Sequence, residues 1–142
     1  MKRKIDLTIP FIAIRKDLPG DPYTATMGEY LCNPLNEALL DVEISSGGFY
    51  SAEDLGVVES VVQEPKPIVT IPAGESFRFA LSTEDEYDEM VVHWSLRYRT
   101  ATLGAQTDAF GSFQTAAQWL EDVPTLGGPG NVVPRSVPDE IR

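Results

Sequence analysis

Cysteine and histidine are nearly absent from this sequence, and their scarcity excludes whole classes of site. The chain has 142 residues with one cysteine, Cys32, and one histidine, His93. A single cysteine cannot form an internal disulfide or a thiolate cluster, and one histidine with one cysteine excludes a zinc site built from nitrogen and sulfur ligands. We therefore interpret Cys32 as a small buried side chain, and we expect no cofactor.

Long apolar runs are missing too. No uninterrupted stretch approaches the roughly 20 residues of a membrane span. The basic start of the chain lacks the apolar region and the small-residue cleavage site of a signal peptide. We expect a protein that is cytoplasmic when made, that can be incorporated into a particle such as a virion, and that has no membrane partner.

Basic residues are few, and they are unevenly distributed. Lysine and arginine number 11 against 22 acidic residues, for a net charge of −11. Five basic residues against one acidic residue give residues 1–16 a charge of +4, whereas two against sixteen give residues 17–89 a charge of −14. A body this acidic repels nucleic acid at long range, so we expect no nucleic-acid partner.

The clearest positive pattern is an alternation of apolar and polar residues in two runs. Phe77, Phe79 and Leu81 alternate with polar or small residues, and Val92, Trp94, Leu96 and Tyr98 do the same. A period of two predicts half-buried antiparallel strands. The acidic bend between them, residues 83–89, is too polar for a core and predicts a long hairpin loop.

Five further strands are predicted from similar patterns. They lie over residues 3–15, around 30–32, and over 37–46, 57–63 and 68–71. Pro10 cannot donate to a strand ladder, which places the first strand at a sheet edge or a bulge. Residues 57–63 follow a possible helix start at Ser51, but their β-branched run favours a strand. About seven strands without long helices between them predict a two-sheet sandwich.

Two segments resemble a known class of module. Asn33 followed by Leu40-Leu-Asp-Val-Glu-Ile44, and later Val69-Thr-Ile-Pro-Ala-Gly-Glu-Ser-Phe77, resembles the pattern of immunoglobulin-like and fibronectin-type sandwich modules of prokaryotic and phage proteins. The resemblance covers roughly residues 28–100. It implies an all-β, immunoglobulin-like antiparallel β-sandwich used for adhesion or assembly, and it brings no catalytic residues with it.

The end of the chain has a different character. Residues 112–122 fit a short amphipathic helix with Trp119 beside its apolar stripe. Residues 124–142 are rich in proline and glycine and predict an extended tail that is disordered alone or docks on a neighbouring subunit as an arm. The predicted division is a sandwich domain over 1–102, a linker and short helix over 103–123, and a tail over 124–142.

The candidate sites favour partner binding over catalysis or metal binding. A catalytic role for His93 is disfavoured because no nucleophile elbow accompanies it. The acidic bend has contiguous acids and no glycine, which argues against a calcium loop. Its acids could instead contact the basic N-terminus of another copy. The residues predicted to bind a partner are Lys2, Arg3, Lys4, Glu84, Asp85, Glu86, Asp88, Glu89, Trp119, Val132, Val133, Val137 and Ile141.

The leading functional hypothesis is a non-enzymatic structural or interaction subunit of a larger assembly, such as a phage or bacterial particle. Its expected partners are copies of itself or other subunits. Two alternatives remain open: an acidic inhibitor or adaptor that binds a basic surface, and a carbohydrate-binding module. Arg78, Arg97 and Arg99 could bind a partner's carboxylates or an anionic glycan, but cross-strand ion pairs are the favoured explanation.

Overall fold

A computed structural model of the chain describes residues 5–18, 20, 25–52, 57–62, 66–83, 91–112 and 118–135. Within these residues the fold is all-β, with ten strands and no helix. The strands are β1 (Phe11–Leu18), β2 (Thr26–Cys32), β3 (Leu39–Ala52), β4 (Val57–Val62), β5 (Lys66–Ile71), β6 (Ser76–Thr83), β7 (Val91–Arg99), β8 (Gln106–Ser112), β9 (Gln118–Val123) and β10 (Gly128–Val132).

The strands form two antiparallel sheets that share one core. The first sheet has the order β6-β2-β1-β10-β9, and the second has the order β4-β3-β7-β8 with β5 also paired to β3. The core cluster takes buried side chains from both sheets, including Ile12 and Leu31 from the first and Trp94 and Leu96 from the second. The predicted β-sandwich is therefore confirmed at the level of two facing antiparallel sheets.

The predicted alternation in β7 is confirmed from Trp94 to Tyr98. Trp94, Leu96 and Tyr98 are buried, whereas the residues between them are exposed. Residues 57–62 form a strand, β4, as their β-branched composition indicated. Cys32 is buried, and this burial raises the pKa of its thiol to about 11, which fits a packing role.

The predicted position of the first strand at an edge is wrong. β1 is the middle strand of its sheet, paired with β2 on one side and β10 on the other. Pro10 is compatible with this position because it precedes the strand, where no ladder hydrogen bond is required of it. Its carbonyl accepts a hydrogen bond from Arg135 instead.

The predicted hairpin between residues 76–81 and 92–98 is also wrong. β6 lies in the first sheet and pairs with β2, whereas β7 lies in the second sheet and pairs with β3 and β8. The chain therefore changes sheets between them, through residues that lie outside the described part. Alternation shows that one face of a strand is apolar, but it does not identify the strand's neighbour.

The predicted C-terminal helix is wrong wherever its residues are described. Ser112 ends β8, and Gln118 to Asp122 belong to β9. Leu120 is partly buried and Val123 is fully buried, a spacing of three that suits a helix as well as an irregular strand. The strand forms because β10 supplies a backbone ladder, and such tertiary pairing overrides local propensity.

Part of the predicted tail is a strand of the first sheet. β10 lies between β1 and β9, and it follows the predicted end of the sandwich domain at residue 102, as β8 and β9 do. Its glycines allow close packing, since a Cβ added at Gly130 would lie 3.1 Å from the Ile14 carbonyl oxygen. Pro129 falls where the β9–β10 register shifts, so its missing N–H costs no regular ladder bond.

Candidate interaction edges of the first sheet

Large exposed apolar side chains lie on both outer strands of the first sheet. Within the described residues, the sheet ends at β6 on one side and at β9 on the other. We call these strands the β6 edge (Ser76–Thr83) and the β9 edge (Gln118–Val123). Phe77 is 42% exposed and Leu81 53% exposed on the β6 edge, and Trp119 is 59% exposed on the β9 edge. An edge strand that presents such side chains can take up a further strand.

A polar network supports the β6 edge from the neighbouring strands. Tyr30 of β2 donates its hydroxyl hydrogen bond to Asp17 of β1, with both carboxylate oxygens 2.7 Å away. Arg15 donates to Asp17 Oδ1 at 2.8 Å and to the Tyr30 hydroxyl at 2.7 Å. Arg78 of the β6 edge lies 3.5 Å from Asp17 Oδ2, so the network spans three strands.

The carboxylate at the centre of this network is held ionised. Burial alone would raise the pKa of Asp17, but the hydrogen bonds from Tyr30 and Arg15 outweigh it and lower that pKa below its ordinary value. Burial and the hydrogen bond to Asp17 raise the pKa of Tyr30. Gly28 leaves room for both side chains, because a Cβ there would lie 2.2 Å from Asp17 Oδ2 and 2.7 Å from Tyr30 and would displace them.

Replacing Asp17 with asparagine should reduce the loss of stability in acid. A pKa lowered in the folded state stabilises the protein above the unfolded value, here 3.8, and this stabilisation disappears as the pH falls through the folded pKa. We expect Asp17→Asn to lower the free energy of unfolding by about 1–2 kcal/mol at neutral pH. Urea unfolding at neutral and acidic pH would measure both effects.

Asp41→Asn is the matched control for this change. Asp41 lies on the second sheet, where its side chain is 69% exposed and pairs with Arg99 of the neighbouring strand. Removing its charge should therefore change stability little. Equal pH dependence in wild type and Asp17→Asn would contradict the proposed role of the network.

The β9 edge is held by its hairpin with β10. The turn at residues 124–127 contains Thr125 and Gly127 at positive φ, 70° and 74°, and Leu126 N donates to the Val123 carbonyl at 3.1 Å. Ser76 of the β6 edge donates its hydroxyl hydrogen bond to the Thr125 carbonyl at 3.3 Å. The turn thus reaches back across the sheet, and both edges are joined to one framework.

The second sheet has a shallow cleft of about 220 Å³ whose charged side chains are paired. Arg97 lies 3.5 Å from Glu43, and Arg99 forms an ion pair with Asp41 across the strands. Arg78 lies on the other sheet. The three arginines therefore do not form one basic strip, and cross-strand pairing accounts for Arg97 and Arg99.

The structure places only three of the predicted partner-binding residues. Trp119 is exposed on the β9 edge, as an interaction residue needs to be. Val132 and Val133 are buried in the core of their own chain, so their side chains are not available to a neighbour. The others lie outside the described residues: Lys2, Arg3, Lys4, Glu84, Asp85, Glu86, Asp88, Glu89, Val137 and Ile141.

Sequence reasoning missed the two apolar residues of the β6 edge. The alternation of Phe77, Phe79 and Leu81 predicted one buried face, yet Phe77 and Leu81 are exposed and only Phe79 packs partly on the core. A register shift opposite Glu29 and Tyr30 of β2 interrupts the regular pairing of the strand. The sequence pattern contains no sign of this irregularity or of the edge position.

The described part of the chain contains neither a metal-binding cluster nor a membrane-spanning helix. No group of three or more histidine, cysteine, aspartate or glutamate side chains there could hold a metal ion. No helix there is long and apolar enough to cross a membrane.

Comparisons with known proteins give only distant similarities. No family model and no curated protein matches the chain. Among solved structures, it is similar to the sporulation control protein Spo0M from Bacillus subtilis, with 12% identity and a TM-score of 0.34 over 77% of this chain and 49% of that one. It is also similar to β-glucuronidase 2 from Bacteroides uniformis, with 13% identity and a TM-score of 0.27 over 79% and 14%. The chain thus spans less than half of either protein.

Proposed function

We propose that this chain is a non-enzymatic structural or interaction subunit of a larger assembly, such as a phage or bacterial particle. In this proposal it binds protein partners through the edges of its first sheet. The observation that supports it is the exposure of Trp119 on the β9 edge and of Phe77 and Leu81 on the β6 edge. Backbone groups on the outer side of an edge strand are free to pair with a partner strand, and the apolar side chains add burial to that pairing.

The energetic case is clearest for Trp119. An exposed tryptophan that loses on the order of 100 Å² of accessible surface gains about 2–3 kcal/mol at roughly 25 cal/mol per Å². Such a gain favours a partner strand that covers the indole. Trp119 contributes little to the core of its own chain, since it is 59% exposed.

The finer classification belongs to the same proposal. Two facing antiparallel sheets support an immunoglobulin-like sandwich, which is the architecture implied by the resemblance over residues 28–100. The remaining predicted contacts also stay part of it: the basic N-terminus against the acidic bend of another copy, and Val137 with Ile141 as an arm.

The size of the native assembly tests this function. In an extract of cells that make the protein naturally, we expect the chain to sediment with particles far larger than a single chain. Trp119→Lys should shift it toward the monomer, because a lysine on an edge strand opposes strand addition. Leu103→Lys is the control, since Leu103 is 45% exposed but lies in a loop outside both edges. A wild-type chain that sediments as a monomer in that extract would refute the proposal.

The arm needs its own truncation. Ending the chain at Val123 would remove β10 from the sheet and unfold the domain, so it cannot test an arm. Ending it at Arg135 keeps β10 and the Arg135 contacts to Asp108 and Pro10. In the same extract, this truncation should reduce the assembly size if Val137 and Ile141 dock on a neighbour.

A further inference from the structure

The exposed aromatic residues of the two edges lie on the same face of the first sheet. Residues directly opposite each other in a ladder share a face. Trp119 is opposite Asn131, which is opposite Ile14. Phe77 is opposite Leu31, which is opposite Ile12. Ile12 and Ile14 are two residues apart on β1, so all six side chains point to one face.

The two edges also run in the same direction. Each step from β6 to β2, β1, β10 and β9 is antiparallel. After four such steps β9 is parallel to β6. A second copy placed beside the first without being turned over therefore sets its β6 edge parallel to the β9 edge of its neighbour. Trp119 and Phe77 then fall on one face of a continuous sheet.

The charges of the edges favour this arrangement over a symmetric one. The β9 edge carries two exposed acids, Glu121 and Asp122, and the β6 edge carries one charged residue, Arg78, which is 51% exposed. Pairing β9 with β9 in a two-fold dimer would bring four acids together. Pairing β9 with β6 sets acids beside an arginine, which is the complementary choice.

We propose that the partner of each edge is the opposite edge of a second copy, so that copies add head to tail with Trp119 of one beside Phe77 of the next. This rests on the proposed function and names its partner. A contact between two different surfaces leaves one edge open at each end, so it continues into a filament or closes into a ring. Aromatic rings that meet at the junction bury apolar surface and attract each other.

Complementation between two edge variants tests the proposal. The purified full chain should grow beyond a dimer as its concentration rises in sedimentation equilibrium. Phe77→Lys and Trp119→Lys should each weaken self-association roughly tenfold or more, because each blocks one edge. Mixed together, they should form a heterodimer and nothing larger, since one open β9 edge meets one open β6 edge. Leu103→Lys should associate like wild type.

Three outcomes would overturn it. If the purified wild-type chain stays monomeric while the native extract contains large assemblies, the partner of the edges is another subunit. The proposed function then survives, but the head-to-tail contact does not. If Phe77→Lys dimerises as well as wild type, the contact does not involve the β6 edge and is a symmetric pairing of two β9 edges. Variants that do not complement, although circular dichroism shows both folded, exclude the head-to-tail contact.

Discussion

Replacing Asn33 with aspartate should lower the free energy of unfolding by about 3–5 kcal/mol at neutral pH, the cost of an unpaired buried charge. The Asn33 side chain is fully buried. Its Nδ2 group shares two hydrogens among the carbonyls of Glu37, Ile71 and Pro72 at 3.0–3.1 Å. Aspartate has the same shape but no donor, so a negative charge would face three carbonyl oxygens.

The position of these contacts explains why the loss should be global. Asn33 follows β2 in the first sheet, whereas Ile71 ends β5 in the second. The Asn33 backbone N–H donates to the Glu75 carbonyl at 2.9 Å, just before the β6 edge begins. One residue therefore ties both sheets together where the chain crosses between them.

Urea unfolding followed by circular dichroism would measure the effect, with Asn36→Asp as the matched control. Asn36 lies in the same loop and is exposed, so the same chemical change there should cost less than about 0.5 kcal/mol. The Asn33→Asp penalty should shrink in acid, where a protonated carboxyl can donate one hydrogen bond. Equal losses at the two positions would show that the carbonyl contacts contribute nothing.

Strands were predictable from the sequence where one face is apolar and the pairing is regular. The alternation through Trp94, Leu96 and Tyr98 predicted β7 correctly because its inner face meets the core at every second residue. Pairing partners were not predictable, since alternation carries no information about neighbours. β1 was expected at an edge and β6 beside β7, and both expectations failed for this reason.

The last strands escaped prediction for a different physical reason. The apolar residues of β9, Trp119, Leu120 and Val123, do not alternate with polar ones, β10 is mostly glycine and proline, and a shift in their register breaks the period of two. Glycine weakens a strand by its entropy, yet Gly130 allows close packing against β1, where an added Cβ would crowd the Ile14 carbonyl oxygen. From composition alone, these glycines predict an extended tail and not a strand of the sheet.

The candidate site was only partly visible in the sequence. The sequence predicts Trp119 as a partner-binding residue beside the apolar stripe of a helix, whereas the structure places it exposed on a strand. Phe77 could not be selected, because its exposure follows from the edge position of β6. That edge position follows from the pairing of β6 with β2, and the pattern of a single sequence does not identify pairing partners.

The largest packing loss should come from Trp94→Ala, which we expect to lower the free energy of unfolding by about 3–5 kcal/mol. Trp94 is among the largest fully buried side chains, and it lies between the sheets. Its indole N–H donates to Glu29 Oε1 at 3.1 Å, so the truncation also leaves that carboxylate without this donor. Trp94→Phe should cost less, because it keeps most of the packing.

Trp119→Ala gives the comparison within one chain, since these are its two tryptophans. Trp119 is largely exposed, so its removal should change the stability of the monomer by less than about 0.5 kcal/mol. The variant also leaves Trp94 as the sole indole, whose fluorescence should be blue-shifted and shielded from acrylamide until urea unfolds the chain. If Trp94→Ala and Trp119→Ala cost the same, or if Trp94 is quenched in the folded state, the indole does not lie in the shared core. Trp94 would then contribute nothing to the packing of the two sheets against each other.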